Sequence, residues 1–263
     1  RGLFEKSSFF GSDSPGRGSK GKIDRAENPA WVFAPVMKRE KNEMEQTPST
    51  AITHGGKFHA DDVFSSALLK ILNPEVEIVR AFRVPEGFDG LVFDIGGGPY
   101  DHHLAPRVQR ENGVPYAAFG LLWRTFGPGL VGSEAAERFD EQFVQPLDLD
   151  DNTGCGNQLA AAIDAFNPVW DSGEKADEGF ARALEFARAV LERQIEKLRA
   201  AGRAEELVRG AVAQMKNHVV VLPRYAPWKQ VLAGSSALFV VYPSQRGGYS
   251  AQVVQDEDGE ALC

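Results

Sequence analysis

The sequence predicts an α/β protein: a mainly parallel sheet with flanking helices, followed by a smaller α+β domain with an antiparallel sheet. Three observations favour this fold class. Strand-like and helix-like segments alternate from about residue 50, as expected when helices connect parallel strands. The run Leu91–Ile95 is apolar apart from Asp94, which is typical of a strand covered on both faces. Beyond residue 216, three short strand-like runs are separated by Pro and Gly, which indicates a second sheet.

The first domain is predicted to begin with a short strand and to continue with alternating elements. Its strand-like segments are Thr50–Thr53, Glu75–Arg80 and Leu91–Ile95. Its helix-like segments are Asp62–Leu72, Tyr116–Phe126, Ser133–Leu147 and Asn157–Phe166. Ligands of such sheets gather beyond the carboxyl ends of the strands, so we expect the functional site at that edge.

A long amphipathic helix, Glu178–Ala200, is predicted to link the two domains. We expect Gly202 to end it and a second helix to follow over Ala204–Gln214. The predicted strands of the second domain are Asn217–Leu222, Ala237–Tyr242 and Tyr249–Val254. The expected organisation is therefore a first domain over residues 50–175, a linking helix over 176–202 and a partial second domain over 203–263.

Residues 1–43 differ in composition and patterning from the rest of the chain. They are rich in Gly, Ser, Lys and Arg and show neither strand nor helix periodicity, which predicts a disordered or foreign extension. An upstream extension and a transit-like arm are both open interpretations. Met44 precedes the first strand and would be a natural start.

Composition restricts the classes of function. The hydrophobic content of 43% is ordinary for a globular protein. The formal net charge is −8, and this acidic balance argues against broad binding of a nucleic-acid backbone. A small cleft in which metal cations neutralise phosphate charge remains compatible. There is no apolar run of about 18 residues that would cross a membrane, and no apolar segment near the N-terminus indicates secretion. Cys155 and Cys263 form no metal-binding spacing, so we expect a cytoplasmic protein, with targeting to an organelle left open.

Histidines and aspartates are concentrated where the predicted strands end. The segment Thr53–Asp62, with sequence THGGKFHADD, holds two imidazoles and two carboxylates directly after the first strand. Asp94 lies near the end of the apolar strand, Gly96–Gly98 follow after Ile95, and His102 and His103 come soon after. Imidazole and carboxylate ligands suit Mn, Fe, Zn or Mg better than a thiolate-type structural zinc site. Each motif alone is more often a cap or a solvated polar group, and it is their order that favours a metal site.

The residue inventory allows two divalent cations, a pair that can clamp both oxygens of a phosphoryl transfer. The predicted ligands of one cation are His54, His59 and Asp94, and those of the other are Asp61, Asp94, His102 and either Asp148 or Asp151. Asp94 would bridge the two cations. His103 would face the substrate as a general acid or an electrostatic stabiliser. The predicted catalytic residues are therefore Asp94 and His103, and the expected cations are Mn²⁺ or, alternatively, Mg²⁺.

These motifs together resemble the DHH phosphoesterase superfamily, named for its Asp-His-His motif. Within it, the chain is most similar to the melanocyte-proliferating-gene type exonucleases, long described as a metal-dependent protein hydrolase family. The segments that carry the resemblance are Thr53–Asp62, Phe93–Gly97, Tyr100–His103, Asp148–Asn152 and Leu222–Lys229. The resemblance covers residues 50–254. It implies a DHH-like catalytic domain, a metal-dependent 3′–5′ RNA exonuclease activity and the metal ligands named above.

The resemblance also has consequences for the second domain. The family's C-terminal portion continues past the position of Cys263, so we expect that domain to be truncated. In the family's C-terminal motif, Arg224, Trp228 and Lys229 are candidate substrate-binding residues, with Tyr225 beside them; the alternative is that the aromatic rings belong to the core. After the His pair, Arg107 and Arg110 could also reach a phosphate.

The expected substrate is RNA or a short oligonucleotide. One alternative keeps the site but uses a small substrate such as pyrophosphate, a cyclic dinucleotide or a nanoRNA. Another is a non-catalytic protein that binds RNA with the help of metal.

Overall fold

The computed structural model of the protein describes residues 48–256. The extension predicted over residues 1–43 lies outside the described residues, as does Cys263. The strands are β1 Thr50–His54, β2 Glu77–Ala81, β3 Leu91–Val92, β4 Val219–Val221, β5 Phe239–Pro243 and β6 Tyr249–Val253. The α-helices are α1 Ala60–Leu72, α2 Ala118–Val131, α3 Ser133–Phe139, α4 Gln145–Thr153, α5 Gln158–Asp164, α6 Ala176–Val212 and α7 Lys229–Ala233. Within this part of the chain, no helix is both long enough and apolar enough to cross a membrane.

The first sheet is parallel, with strand order β2-β1-β3. Ala51 pairs with Ile78 and Leu91, so β1 is the central strand. Helix α1 connects β1 to β2, as a parallel pair requires. The α/β prediction is confirmed for this sheet, although β3 is shorter than the predicted Leu91–Ile95. All three carboxyl ends lie at one edge, where β1 ends at His54.

The core beside this sheet is rich in aromatic rings that lock the helices together. Phe64 of α1 lies 5.5 Å from both Phe119 of α2 and Phe143, measured between ring centroids. The buried Trp123 ring contacts Phe139 at 4.7 Å and its indole N–H donates to the carbonyl of Ala136. These contacts fix α1 and α2, whose N-terminal ends border the functional site.

The helix predicted over Ser133–Leu147 is instead three segments. A π-helical segment, Asp140–Val144, separates α3 from α4. Pro146 lies in the first turn of α4, and because proline has no backbone N–H the regular hydrogen-bond pattern is interrupted there. The wider turn changes the direction in which the aspartates of α4 face.

Helix α6 runs without interruption from Ala176 to Val212, so the prediction that Gly202 ends it is wrong. Glycine inside a helix costs only about 1 kcal/mol relative to alanine. Burial of Ala204 and Val208 on the same helix offsets that cost, and the exposed ion pair between Arg203 and Glu196 spans the glycine. The C-terminal part of α6 therefore packs in a second core.

The second sheet is mixed rather than antiparallel, with strand order β4-β5-β6. Strands β5 and β6 form the expected antiparallel hairpin, but β4 is parallel to β5. The cause is α7, which returns the chain to the start of β5 after β4. The core of this region contains Val208, Val220, Leu222, Trp228, Leu232 and Val240. It is distinct from the first core, and the division into two domains stays a prediction.

Candidate metal centre

Local backbone geometry brings Asp94 to the end of the parallel sheet. Phe93 continues the β3 chain only as an isolated bridge to Tyr100. Asp94 has φ 56°, in the left-handed region that non-glycine residues rarely adopt. Such a backbone persists only where its surroundings impose it, and it is concentrated at functional sites. Here it turns the carboxylate back across the sheet edge.

The Asp94 carboxylate lies close to three histidines, His54, His102 and His103. Its Oδ2 lies 3.1 Å from His54 Nε2. Its Oδ1 lies 3.4 Å from His102 Nδ1 and 3.6 Å from His103 Nδ1. The Asp94 side chain is buried, whereas the His103 side chain is exposed. Asp94 is thus at the centre of the predicted site.

His102 extends this arrangement to two further carboxylates. Its Nε2 lies 3.0 Å from Asp151 Oδ2, and its Nδ1 lies 3.8 Å from Asp61 Oδ2. Asp61 also accepts the backbone N–H of Ala118 at 3.1 Å, which ties α1 to the start of α2. We call Asp61, Asp94, His102 and Asp151 the metal cluster.

Several buried atoms of the metal cluster have no hydrogen-bond partner among the described residues. They are Asp61 Oδ1, Asp94 Oδ1 and His102 Nδ1. A buried polar group left unpaired costs about 1–3 kcal/mol, and a cation bound at these atoms would offset that cost. Two sets of ligand atoms lie within 4.8 Å of one another: Asp94–His102–His103 and Asp61–His102–Asp151. The donor set therefore fits one or more divalent cations bound by oxygen and nitrogen.

The acid–base behaviour of these residues reflects crowding of negative charge. Burial raises the pKa of Asp61 well above its usual range, and the charges of Asp94 and Asp151 add to this effect. Burial disfavours the protonated form of His54, but the hydrogen bond to Asp94 and nearby carboxylate charge outweigh it and raise the pKa of His54 to about 9. A bound cation would supply the missing positive charge.

Asp62 and His59 lie beside the metal cluster. Asp62 Oδ1 accepts the backbone N–H of His59 at 2.8 Å, and its Oδ2 lies 3.4 Å from His54 Nε2. The His59 ring lies 5.7 Å from the His54 ring, between centroids. His59 belongs to neither set of close ligand atoms, so its role as a ligand stays a prediction. The positioning role of Asp62 was not predicted, although capping residues at a helix start are a known signal.

Asp101, the first residue of the Asp-His-His motif, stabilises its own loop by hydrogen bonds rather than belonging to the metal cluster. Its Oδ2 accepts the backbone N–H of Gly97 at 2.7 Å and its Oδ1 accepts that of His103 at 3.0 Å. The same Oδ1 lies 2.9 Å from His103 Nδ1. His103 stacks on His102 with centroids 4.1 Å apart, and its side chain is 61% exposed. His103 is thus fixed in orientation while it faces solvent.

Of the two alternatives Asp148 and Asp151, it is Asp151 that contacts His102. Asp148 is fully buried, and it accepts hydrogen bonds from Arg110 Nη2 at 2.8 Å and from the backbone N–H of Gly120 at 3.1 Å. Arg110 also forms two 2.7 Å bonds to Asp140, and its guanidinium lies 3.8 Å from the Tyr116 ring centroid. Residues Arg110, Gly120, Asp140 and Asp148 are named the Arg110 network.

In the Arg110 network, the positive charge of Arg110 lies against the carboxylates of Asp140 and Asp148. Burial raises the pKa of Asp148 to about 7, against the effect of Arg110. Burial disfavours the charged guanidinium, but Asp140 and Asp148 outweigh it and raise the pKa of Arg110. We take the pair as ionised at neutral pH, because the two hydrogen bonds to Asp148 favour a carboxylate. Arg110 is therefore structural, and the expectation that it reaches a phosphate is not supported.

A cavity of about 690 Å³ opens onto the metal cluster. Its lining includes His54, His59, Asp94, His102, His103, Arg107, Asp150, Asp151, Asn152 and Asp164. This volume is within the range of small-molecule and cofactor sites. Arg107 is the only lysine or arginine among the described residues that line it.

The predicted substrate-binding residues lie away from this cavity. The Trp228 side chain is buried in the second core with only 4% exposed, which favours the alternative that its ring belongs to the core. Tyr225, by contrast, is 55% exposed, and Arg224 and Lys229 are exposed. Their contact with substrate stays a prediction.

Comparison with known proteins identifies relatives along most of the chain. The family model MYG1_exonuc, described as an uncharacterised protein family (UPF0160), matches residues 50–261. The chain is 29% identical over 281 aligned positions to the MYG1 exonuclease of Homo sapiens, covering 85% of this chain and 74% of the relative. It is 28% identical to the MYG1 exonuclease of Mus musculus, covering 85% and 73%. It is 26% identical to MYG1 protein YER156C of Saccharomyces cerevisiae, covering 68% of each.

No solved structure matches the chain. The matched segment begins at the first residue of β1 and includes all of the histidines and aspartates of the metal cluster. Since the family model matches well over half of the sequence, the chain belongs to the MYG1 exonuclease family, UPF0160.

Proposed function

We propose that the protein is a metal-dependent phosphodiester hydrolase that removes nucleotides from an end of RNA in the 3′–5′ direction. The observation that carries the proposal is the convergence of Asp61, Asp94, His102 and Asp151 with buried, unpartnered atoms. The order of the motifs fits the DHH phosphoesterase superfamily. The human and mouse relatives are named exonucleases, which supports a nuclease rather than another hydrolase.

The chain's own residues supply positioning and proton transfer. His54, His59 and Asp94 would hold one divalent cation and Asp61, Asp94, His102 and Asp151 the other, with Mn²⁺ preferred and Mg²⁺ as the alternative. When bound, such cations neutralise phosphate charge and lower the pKa of water. Asp94, which contacts His54, His102 and His103, is the carboxylate best placed to bridge two sites.

His103 is the proposed general acid. Its Nδ1 is engaged by Asp101, so its Nε2 is the nitrogen available to a substrate in the cavity. A protonated His103 would donate from Nε2 to the leaving oxygen. Since Asp101 also accepts the backbone N–H of His103, the ring has little freedom to turn away from that position.

The test is digestion of RNA labelled at one end, with Mn²⁺, with Mg²⁺ and with EDTA. From a 5′ label, 3′–5′ removal gives a ladder of progressively shorter labelled products. From a 3′ label, the first product is a labelled mononucleotide. We expect Asp94→Asn to abolish the products and Asp171→Asn, in an exposed loop, to leave them unchanged. Equal activity of Asp94→Asn and wild type would overturn the proposal.

A second candidate function uses the same site on small phosphates. The limited cavity and the net charge of −8 favour it over binding of long duplexes. Pyrophosphate, a cyclic dinucleotide and a dinucleotide RNA, compared with a longer RNA at fixed Mn²⁺, distinguish the two. Preference for pyrophosphate would replace the leading proposal, and RNA binding without turnover of any substrate would indicate a non-catalytic protein.

A further inference from the structure

Two arginines follow the Asp-His-His motif three residues apart, and the structure uses them differently. Arg110 is buried and bonded to two carboxylates. Arg107 is exposed and lines the cavity over the metal cluster. Its one hydrogen bond among the described residues goes from Nη1 to Asn152 Oδ1, at 3.0 Å. Within that part of the chain it forms no ion pair, so its charge is available to a ligand.

Asn152 holds the Arg107 guanidinium in place. The Asn152 amide nitrogen donates to the carbonyls of Tyr116 and Asp148, at 3.2 and 2.9 Å. Its oxygen then faces Arg107. Because the amide is neutral, it orients the guanidinium without cancelling its charge. Ordering the side chain before a ligand arrives reduces the entropy lost on binding.

Apart from Arg107 and the four histidines around the metal cluster, the charged residues of the cavity lining are carboxylates. Asp150, Asp151 and Asp164 also line it, and the nearby Lys57 is already paired with Asp164 at 2.9 Å. Cations at the metal cluster would neutralise the phosphate that reacts. A phosphate next to it would meet repulsion unless another positive group is present, and Arg107 is that group among the described residues of the lining.

We propose that Arg107 binds a phosphate adjacent to the one that is hydrolysed. The inference rests on the proposed phosphodiesterase function and makes it more specific. It predicts that the cavity binds substrates with at least two phosphates along a chain. Such substrates are oligonucleotides rather than single diesters. Arginine suits this role because its planar fork of donors can bind phosphate while one nitrogen stays bonded to Asn152.

Binding without turnover gives the first test. A fluorescein-labelled RNA pentanucleotide is titrated with protein in Ca²⁺, which takes oxygen ligands and replaces Mn²⁺ to prevent turnover, and Kd is measured by anisotropy at several salt concentrations. We expect Arg107→Ala to weaken binding about tenfold. The slope of log K against log salt should fall by about 0.7, as for one phosphate contact on a single strand. Arg107→Lys should keep the slope, because it keeps the charge.

Turnover with Mn²⁺ gives the second test, with two substrates. Bis(p-nitrophenyl) phosphate has one phosphate and the pentanucleotide has four. We expect Arg107→Ala to raise KM about tenfold for the pentanucleotide, with kcat little changed, and to leave KM for the single diester unaltered. Arg246→Ala, in the exposed turn between β5 and β6, is the matched control and should change neither.

The outcomes separate the two proposals. If wild type hydrolyses neither substrate, the proposed function fails, while the binding titration still tests Arg107. If wild type is active and Arg107→Ala shows the same affinity and salt slope, the Arg107 inference is wrong. Equal increases in KM for both substrates would also overturn it, because the residue would then act on the reacting phosphate or on the fold.

Discussion

The metal cluster and the Arg110 network are both built from buried carboxylates, and they meet on one helix. Asp148 and Asp151 are three residues apart on α4. Asp148 faces Arg110 and the Gly120 N–H, which satisfy both of its oxygens. Asp151 faces His102, in a group where buried oxygens and a ring nitrogen have no partner.

The difference teaches how to tell a structural carboxylate from a ligand. Desolvating a charge costs several kcal/mol, and each region must offset that cost. In the Arg110 network the chain itself supplies the cation. In the metal cluster, buried oxygens of Asp61 and Asp94 and a ring nitrogen of His102 have no hydrogen-bond partner among the described residues, and a cation from solution would fill that place. Removing the internal cation should therefore damage the fold, whereas changing the metal cluster should alter the response to metal.

The largest expected effect is that of Arg110→Ala. It leaves Asp148 buried and unpaired, which should lower the free energy of unfolding by about 3–5 kcal/mol, measured by urea denaturation. Arg124→Ala is the control, because Arg124 contacts the same Tyr116 ring at 4.9 Å but is exposed. Adding Asp148→Asn to Arg110→Ala should recover part of the loss. A loss below 1 kcal/mol for Arg110→Ala would show that the network is not needed.

Asp94→Asn should separate stability from the response to metal. For wild type, Mn²⁺ at a hundred times its Kd should add about 2.7 kcal/mol of stability relative to EDTA. We expect Asp94→Asn to lose that increment. In EDTA near neutral pH it should be less stable than wild type, because His54 loses the carboxylate that raises its pKa. The readout is Tm with and without Mn²⁺, and a full Mn²⁺ response in the variant would exclude Asp94 as a ligand.

Gly120→Ala tests how closely the Arg110 network fits α2. A Cβ at Gly120 would overlap Asp148 Oδ2 and crowd Arg110 Nη2, and such overpacking costs about 1–3 kcal/mol. Gly202→Ala is the matched control within a helix, since nothing lies within 4 Å of the added atom. That change should stabilise the protein by about 0.5–1 kcal/mol. Equal effects in urea denaturation would mean that Gly120 can be replaced.

Much of the metal cluster was predictable because sheet geometry is regular. Consecutive parallel strands place their carboxyl ends at one edge, so residues after β1 and β3, including Asp61, Asp94 and His102, were expected to meet there. The choice between Asp148 and Asp151 could not be predicted, because it depends on the π-helical segment before α4. It also depends on Arg110, which lies 38 residues before Asp148.

The second sheet shows the same limit. Its strands were recognised from their apolar runs, but their directions depend on α7, which is only five residues long. Trp228 was a candidate substrate residue because it lies in the segment that resembles the family's C-terminal motif, and local sequence did not reveal that Val208 and Leu232 pack in the same core. Packing between distant segments decides both cases.

The smallest expected effect, counted per pH unit, is the change in the stability of the metal-free protein with pH. His54 has a pKa of about 9 in the folded protein against 6.5 in an unfolded chain. The stability it contributes is fully present below pH 6.5 and is lost as pH rises toward 9. The slope for this one group is at most about 1.4 kcal/mol per pH unit. In EDTA, Tm should therefore fall over this window.

Mn²⁺ should reverse the trend, because its ligands bind in their deprotonated forms. The stabilisation that Mn²⁺ adds should increase between pH 6.5 and 9. Asp94→Asn should flatten the slope in EDTA, since the hydrogen bond and charge of Asp94 raise the pKa of His54. If wild type in EDTA keeps a constant Tm from pH 6.5 to 9, His54 is not held as a cation by the carboxylates, and the crowding of negative charge that requires a metal is absent.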